Sequence, residues 1–237
     1  MEVKPYKKEA EYSYALGAFP TIELLKTKPE QVMEVYVHST FPDTETILSL
    51  AALHHIPVIR QDKLIHRLSD KENCFVIGVF KKYTDILSKD RPHIVLVNPG
   101  NMGNMGTILR TAAAFGIKDM AVILPGADMF HPKTVRASMG ALFRLNCACF
   151  QSFEEYRKKY DKHEVFCFML NASKPLTVTD CPKTKLFSLV FGNEATGLDD
   201  SYLEKGTSII IPQSDEVDSL NVTIAAGIAM FCFTRKG

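Results

Sequence analysis

Apolar and polar positions along the chain follow two periods, one near two residues and one near 3.6, and the pattern runs through twice. Between residues 20 and 80, Thr21 to Lys26 reads as a short apolar helix and Val32 to His38 alternates as a strand. Pro42-Asp43-Thr44 opens a helix, with Asp43 or Thr44 as its cap and Ile47, Leu48, Ala51 and Leu53 as its apolar face; Pro57 ends it. Val58 to Arg60 reads as a strand, Asp62 to Leu68 as a helix, and Phe75 to Phe80 as a wholly apolar strand. The polar run KKYTDILSKDRP at 81–92 then breaks the pattern. It divides the chain into a small front domain (1–83), a linker (84–91) and a back domain (92–237).

The alternation resumes more cleanly in the back domain. His93 to Val97 is a buried strand, Asn98 to Gly106 a Gly-rich turn, and Thr107 to Phe115 a helix stopped by Gly116. Met120 to Leu124, Val165 to Leu170, Leu186 to Phe191 and Ser208 to Ile211 read as strands. Ser152 to Tyr160 is a polar helix and Asn221 to Phe233 an apolar one. Strands alternating with helices imply a mostly parallel sheet covered on both faces, whose ligands sit beyond the carboxyl ends of the strands.

Composition narrows the partners. Lys+Arg is 28 against 27 Asp+Glu, a net charge of +1, which excludes a strongly basic packaging protein and an acidic disordered chain. Residues 1–91 alone balance 13 against 13, so the front domain has no bulk attraction for nucleic acid. The basic clusters Lys7-Lys8, Lys81-Lys82, Lys133-Arg136 and Arg157-Lys158-Lys159, with Tyr6, Tyr12 and Tyr14 nearby, are candidate RNA contacts. The longest apolar stretch, Ala225 to Phe233, is far below the roughly 20 residues that cross a bilayer. No secretory leader is evident, and the six cysteines form no C-x-x-C pair. These features predict buried thiols, no metal, no membrane and a cytoplasmic protein.

Three loops follow strands and carry unusual residues. Asn98-Pro-Gly-Asn-Met-Gly-Asn-Met-Gly106 has glycines at 100, 103 and 106, which let backbone approach a ligand, and it opens a helix whose free N–H groups suit an anion. Arg110 is expected in that helix's first turn, near the same mouth. Gly192-Asn-Glu-Ala-Thr-Gly197-Leu198 places a carboxylate between two glycines at a strand end. In Ile211-Pro-Gln-Ser-Asp-Glu-Val-Asp-Ser219-Leu-Asn221-Val222, Ser219 is a natural helix cap. Asn221 would then fall in the first turn, where asparagine has no propensity reason to stand.

Taken in order, Asn104-Met-Gly106-x-x-x-Arg110, Gly192-Asn-Glu194-x-x-Gly197-Leu198 and Ile211-Pro212 with Ser219-Leu-Asn221-Val222 resemble the three motifs of the SpoU (TrmH-type) RNA methyltransferases of the SPOUT superfamily. Lys133-Thr-Val-Arg136-Ala-Ser138-Met-Gly140-Ala-Leu-Phe143 resembles the segment after that family's second strand. The likeness is close over residues 92–234 and looser over 13–80, which look like the small substrate-binding domain often joined in front. Thr223 stands where serine is common, Gln213 where an apolar residue is usual, and Asp215 to Asp218 form an acidic stretch.

The resemblance implies an α/β fold with a trefoil-knotted, mostly parallel sheet behind a small α/β RNA-binding domain. It implies a homodimer, S-adenosylmethionine as methyl donor, and methylation of a ribose 2′-hydroxyl in rRNA or tRNA. Arg110, Glu194, Asn104, Ser219 and Asn221 are its candidate catalytic residues. Gly192, Asn193, Gly197, Ile211, Leu220, Asn221 and Asn171 are its candidate donor-binding residues. A guanidinium stays protonated, so Arg110 suits holding a phosphate and stabilising a nascent alkoxide, with Glu194 orienting it or relaying a proton. Two other readings remain. One is an RNA-binding module without turnover. The other is a nicotinamide-dependent oxidoreductase that uses the Gly-rich turn and Asp128.

Overall fold

The computed structural model describes residues 3–69, 71, 73–179, 181–182 and 184–235. Two sheets are built in sequence order. The first holds β1 (Tyr12–Leu16), β2 (Val32–Val37), β3 (Val58–Arg60) and β4 (Val76–Lys81) in the order β1-β4-β2-β3. β4 is antiparallel to both of its neighbours, and β2 pairs with β3 in parallel. Helices α1 (Ala18–Thr27), α2 (Thr44–Leu53) and α3 (Asp62–Leu68) connect them. β1 has no counterpart in the sequence reading; its three central residues, Ser13, Tyr14 and Ala15, are buried.

The second sheet has seven strands, all paired in parallel: β5 (His93–Val97), β6 (Asp119–Ile123), β7 (Asn146–Phe150), β8 (Glu164–Phe168), β9 (Lys174–Pro175), β10 (Phe187–Phe191) and β11 (Thr207–Ile210). Their order is β7-β6-β5-β10-β8-β11-β9. All five residues of β10 are buried, as a central parallel strand requires. Between the strands run α4 (Met102–Ala114), α5 (Pro132–Ala137), α6 (Phe153–Lys159) and α7 (Val222–Thr234). Helix α4 starts five residues before the expected Thr107, because the Asn101 side chain accepts hydrogen bonds from Gly103 N and Asn104 N and turns half of the Gly-rich stretch into helix. Arg110 therefore lies in the third turn, about 9 Å along the axis from Asn104.

Residues 82–92 carry no strand or helix, yet they are pinned at several points. Asp85 pairs with Lys28, the residue after α1, at 2.8 Å and accepts a hydrogen bond from Cys147 N, and Leu87 is buried. One apolar core joins the two sheets: Ala15, Leu24 and Phe80 pack with the residues under the second sheet, and Phe80 lies edge-on to Phe130 and Phe143. Several expected RNA contacts are spent on this union. Tyr6 donates to Asp128, and Lys82 sits 3.8 Å from the same carboxylate; Tyr14 is buried within the first sheet's own core. The cysteines are all free thiols; Cys74, Cys147 and Cys167 are buried, whereas Cys149 is exposed on the edge strand β7.

A hydrogen-bonded chain of side chains closes the amino-terminal edge of the central strands. The His163 Nδ1–H donates to Ser188 Oγ (3.0 Å), the Ser188 hydroxyl to Tyr156 (2.6 Å) and the Tyr156 hydroxyl to His93 Nδ1 (2.9 Å). His93 Nε2–H donates to the Ser88 carbonyl (2.7 Å), which fixes its tautomer. Burial, reinforced by the neighbouring His163, pushes the His93 pKa down to about 3. The folded state thus holds His93 neutral while the unfolded chain protonates it near 6.5. Its contribution to stability is complete above pH 6.5 and is lost as pH falls toward 3, at about 1.4 kcal/mol per pH unit. Urea unfolding between pH 7 and 5 is expected to show this slope, and His93→Gln to reduce it.

Candidate active site at the carboxyl edge of the parallel sheet

Strand register brings the motifs together. Phe191 of β10 is level with Leu96 of β5, and Val190 with Cys167 of β8; Ile209 of β11 is level with Phe168. The loops after β5, β10, β8 and β11 therefore leave the same edge side by side. Between the last three opens a cleft of about 320 Å³, within the size range of small-ligand sites. Phe168 and Phe191, stacked 4.7 Å apart, stand with Ile211, Leu220, Val222 and Ala225 as its apolar walls.

The loop after β10 is closed by its own backbone. Asn193 and Gly197 exchange N–H···O bonds of 3.2 and 2.9 Å, and Asn193 Oδ1 accepts from Ala195 N and Thr196 N. A Cβ on Gly192 would fall 2.1 Å from the Gly197 carbonyl carbon, and Gly197 has φ 68. Both glycines are demanded by the turn itself.

Glu194 points out of that turn onto the start of α4. Its carboxylate accepts from Gly100 N (2.8 Å), Asn101 N (3.1 Å) and Asn104 Nδ2 (3.2 Å). Burial on its own would raise the Glu194 pKa, but these donors outweigh it and hold the carboxyl below its usual range. The anion expected at this helix N-terminus is thus supplied from within the chain. The structure shows no contact between Glu194 and Arg110, and an ionised carboxylate saturated by donors is poorly suited to relaying a proton. The glycines likewise serve packing between segments: a Cβ on Gly106 would lie 2.5 Å from Ala137 Cβ, and one on Gly100 3.3 Å from Glu194 Oε2.

The structure brings together Gly192, Asn193, Glu194, Gly197, Ile211, Ser219, Leu220 and Asn171 around the cleft, with Asn104 joined to them through Glu194. Asn171 is held by Asp200 Oδ1 (2.9 Å). Ser219 is exposed at the cleft and does not cap α7; Asn221 does, with Oδ1 accepting from Thr223 N (2.8 Å) and Thr223 Oγ1 (2.7 Å). That cap explains an asparagine at this position without a catalytic role. Arg110 is exposed and lines a different hollow, with no hydrogen bond or ion pair among the described residues. Sequence reasoning missed Phe168, Val222 and Ala225, because apolar residues at strand and helix ends read as core.

Glu194 is the one charged side chain among the described residues that line the cleft. Such a site suits a ligand with a flat apolar part and a positive centre, and the exposed acidic stretch Asp215 to Asp218 lies between two of its lining residues, Gln213 and Ser219. It does not suit the pyrophosphate of a dinucleotide, for the N–H groups at the start of α4 are already taken. Asp128, which the oxidoreductase reading needed, is committed to Tyr6 and to Phe130 N. Among the described residues no group of three or more His, Cys, Asp or Glu is placed to hold a metal, and no helix is long and apolar enough to cross a membrane.

The fold and site together are a parallel α/β sheet with a cleft among the loops at its carboxyl edge. Residues 91–231 match the sequence profile of the SpoU rRNA Methylase family, and the chain belongs to that family. It is 33% identical over 146 residues to an uncharacterised tRNA/rRNA methyltransferase of Synechocystis sp., covering 60% of this chain and 53% of that protein. It is 31% identical over 131 residues to the 23S rRNA (guanosine(2553)-2′-O)-methyltransferase RlmP of Bacillus subtilis, covering 54% and 52%. The chain thus spans about half the length of these relatives. In fold it is similar to the SpoU methyltransferase AviRb of Streptomyces viridochromogenes, solved in complex with AdoMet: TM-score 0.82 at 20% identity, over 94% of this chain and 89% of that one.

Glu194→Ala is expected to lower unfolding free energy by about 1–3 kcal/mol, because it strips three donors of a charged acceptor. Glu194→Gln should cost less. The difference between wild type and Glu194→Ala should shrink as pH falls below the carboxyl's ordinary range. Chemical denaturation of the three proteins at pH 7 and pH 3 measures this.

Proposed function

We propose that this protein transfers a methyl group from S-adenosylmethionine to a ribose 2′-hydroxyl of rRNA or tRNA. The observation that carries the reading is the clamp of Glu194 on the start of α4 beside an apolar cleft free of cationic side chains. Residues 1–83 would grip RNA, 84–91 link, and 92–237 form the catalytic domain, with the strand order β5-β10-β8-β11 as the frame for a trefoil-knotted path. The compartment proposed is the cytoplasm, where RNA substrates and the donor are both present.

Gly192, Asn193, Gly197, Ile211 and Leu220 would hold the adenosyl part through backbone groups and apolar contact. Bound there, S-adenosylmethionine supplies an electrophilic methyl group. The protein's own task is to align that group with the acceptor oxygen, exclude water and manage one proton. Glu194 shapes the pocket as a fixed anion. Arg110, always protonated, holds a phosphate of the RNA and stabilises negative charge on the ribose oxygen as its proton passes to solvent water.

Arg110 lies outside the cleft of its own chain, an arrangement that would favour the non-catalytic RNA-binding reading if the chain acted alone. A homodimer resolves this. Helix α7 is apolar all round yet leaves Ile224, Ile228 and Phe231 half exposed beside α4, with Phe231 against Phe115. Such a face calls for a partner, and a second copy would bring Arg110 to the neighbouring cleft.

Calorimetry is expected to show binding of S-adenosylmethionine and none of NAD. Arg110→Ala should lower kcat/KM for methyl transfer at least 100-fold while leaving donor affinity unchanged. Full transfer by Arg110→Ala, measured with labelled donor and total RNA, would contradict the role given to it. Sedimentation should show a dimer for the wild type and a monomer for Ile228→Asp.

A further inference from the structure

A second hollow lies where α1, belonging to the first sheet, meets α4 and the turn after α5. Phe19 and Glu23, four residues apart and so on one face of α1, form one wall. Arg110 and Ala113 of α4 form another, and Met139 and Arg144 close it. Glu23 is buried and ion-paired with Arg144, so these two charges are matched. Arg110 is not.

Three features of this hollow face solvent rather than the core. Phe19 is 52% exposed, although the residues that follow it on α1 (Pro20, Thr21, Glu23, Leu24 and Leu25) are all buried. Met139 is 40% exposed and holds φ 49, a left-handed conformation that costs a long side chain energy and collects at ligand-binding sites. Arg110 offers a guanidinium with no anion among the described residues. Gly140 permits the arrangement, since a Cβ there would lie 2.6 Å from Glu23 Cβ and push α1 away. An exposed aromatic ring, a thioether and an uncommitted guanidinium around one concavity match the parts of a nucleotide: a flat base to stack and an anionic backbone to hold.

We propose that this hollow is a nucleobase subsite for the acceptor RNA, with Phe19 as its stacking platform. The front domain then supplies a wall of the acceptor site as well as a grip on RNA at a distance. The proposal rests on the methyltransferase reading for the identity of the RNA as substrate. Phe19 touches no reacting atom. It positions the nucleotide whose phosphate or ribose Arg110 holds, and stacking on it tolerates any base.

The test uses the full chain. Irradiation with a mixed-sequence 20-nucleotide RNA carrying 4-thiouridine is expected to cross-link the peptide containing Phe19 or Met139, located by mass spectrometry. Phe19→Ala, which removes a half-exposed ring without opening the core, should cut that label at least five-fold, and Phe19→Tyr should retain it. In methyl transfer, Phe19→Ala should raise the apparent KM for RNA about 5- to 150-fold, the equivalent of one lost stacking contact, with kcat and the KM for S-adenosylmethionine unchanged. Cross-links confined to other peptides, or an unaltered label and RNA KM in Phe19→Ala, would overturn the subsite. Equal labelling by 4-thiouridine monophosphate would overturn RNA as its ligand. A wild type that cross-links at Phe19 but transfers no methyl group overturns the methyltransferase reading and leaves the subsite in place.

Discussion

The site depends on one carboxylate. A helix start presents N–H groups with no intrahelical partner, and the partial positive charge there must be met by something. In this protein Asn101 satisfies two of the N–H groups and Glu194 takes those of Gly100 and Asn101. Because Glu194 comes from the loop after β10 and α4 from the loop after β5, the bond fixes one wall of the cleft to the other strand's helix. Register alone puts the two strands side by side; the carboxylate sets how their loops lie. The tight turn from Gly192 to Gly197 exists to aim that side chain, since any residue with a Cβ at 192 would collide with the Gly197 carbonyl.

That constraint explains what could be read from the sequence and what could not. Buried parallel strands announce themselves as apolar runs, so HIVLV and FSLVF were legible, as were the helices capped by Ser152 and ended by Gly116. The first strand was not, because its burial comes from packing on β4 rather than from its own composition. The three motifs pointed correctly to residues that meet. The structure adds a second physical use for several of their residues. An asparagine near a helix start reads as a ligand contact or a cap, and Asn221 proved a cap. Glycines before a helix read as room for a phosphate, and Gly106 proved room for α5. A carboxylate between glycines can carry a proton or anchor a helix start, and Glu194 is bound to the start of α4.

The two sheets share a core, and this limits how they can move. Ala15, Leu24 and Phe80 are buried against residues under the second sheet, and the segment between the sheets is tied down at Asp85 and Leu87. Sliding α1 over the second sheet would expose that apolar surface and break the Glu23–Arg144 pair, half of which is buried. The hollow between them is therefore held in shape before any ligand arrives. A stacking ring on a preset wall loses little freedom on binding, so contact there goes further toward affinity than the same ring on a mobile tail.

The separation of cleft and arginine also follows from charge. The cationic donor proposed for the cleft would be bound less well beside a guanidinium, and the described residues of the cleft include none. An RNA backbone, by contrast, needs positive charge at its contact. Placing Arg110 six residues beyond Asn104 on the same rigid helix keeps the two electrostatic demands about 9 Å apart within one chain. In the proposed reaction they must still meet. The exposed apolar face of α7, packed along α4, is where the proposed second copy would bring them together without either pocket giving up its own charge balance.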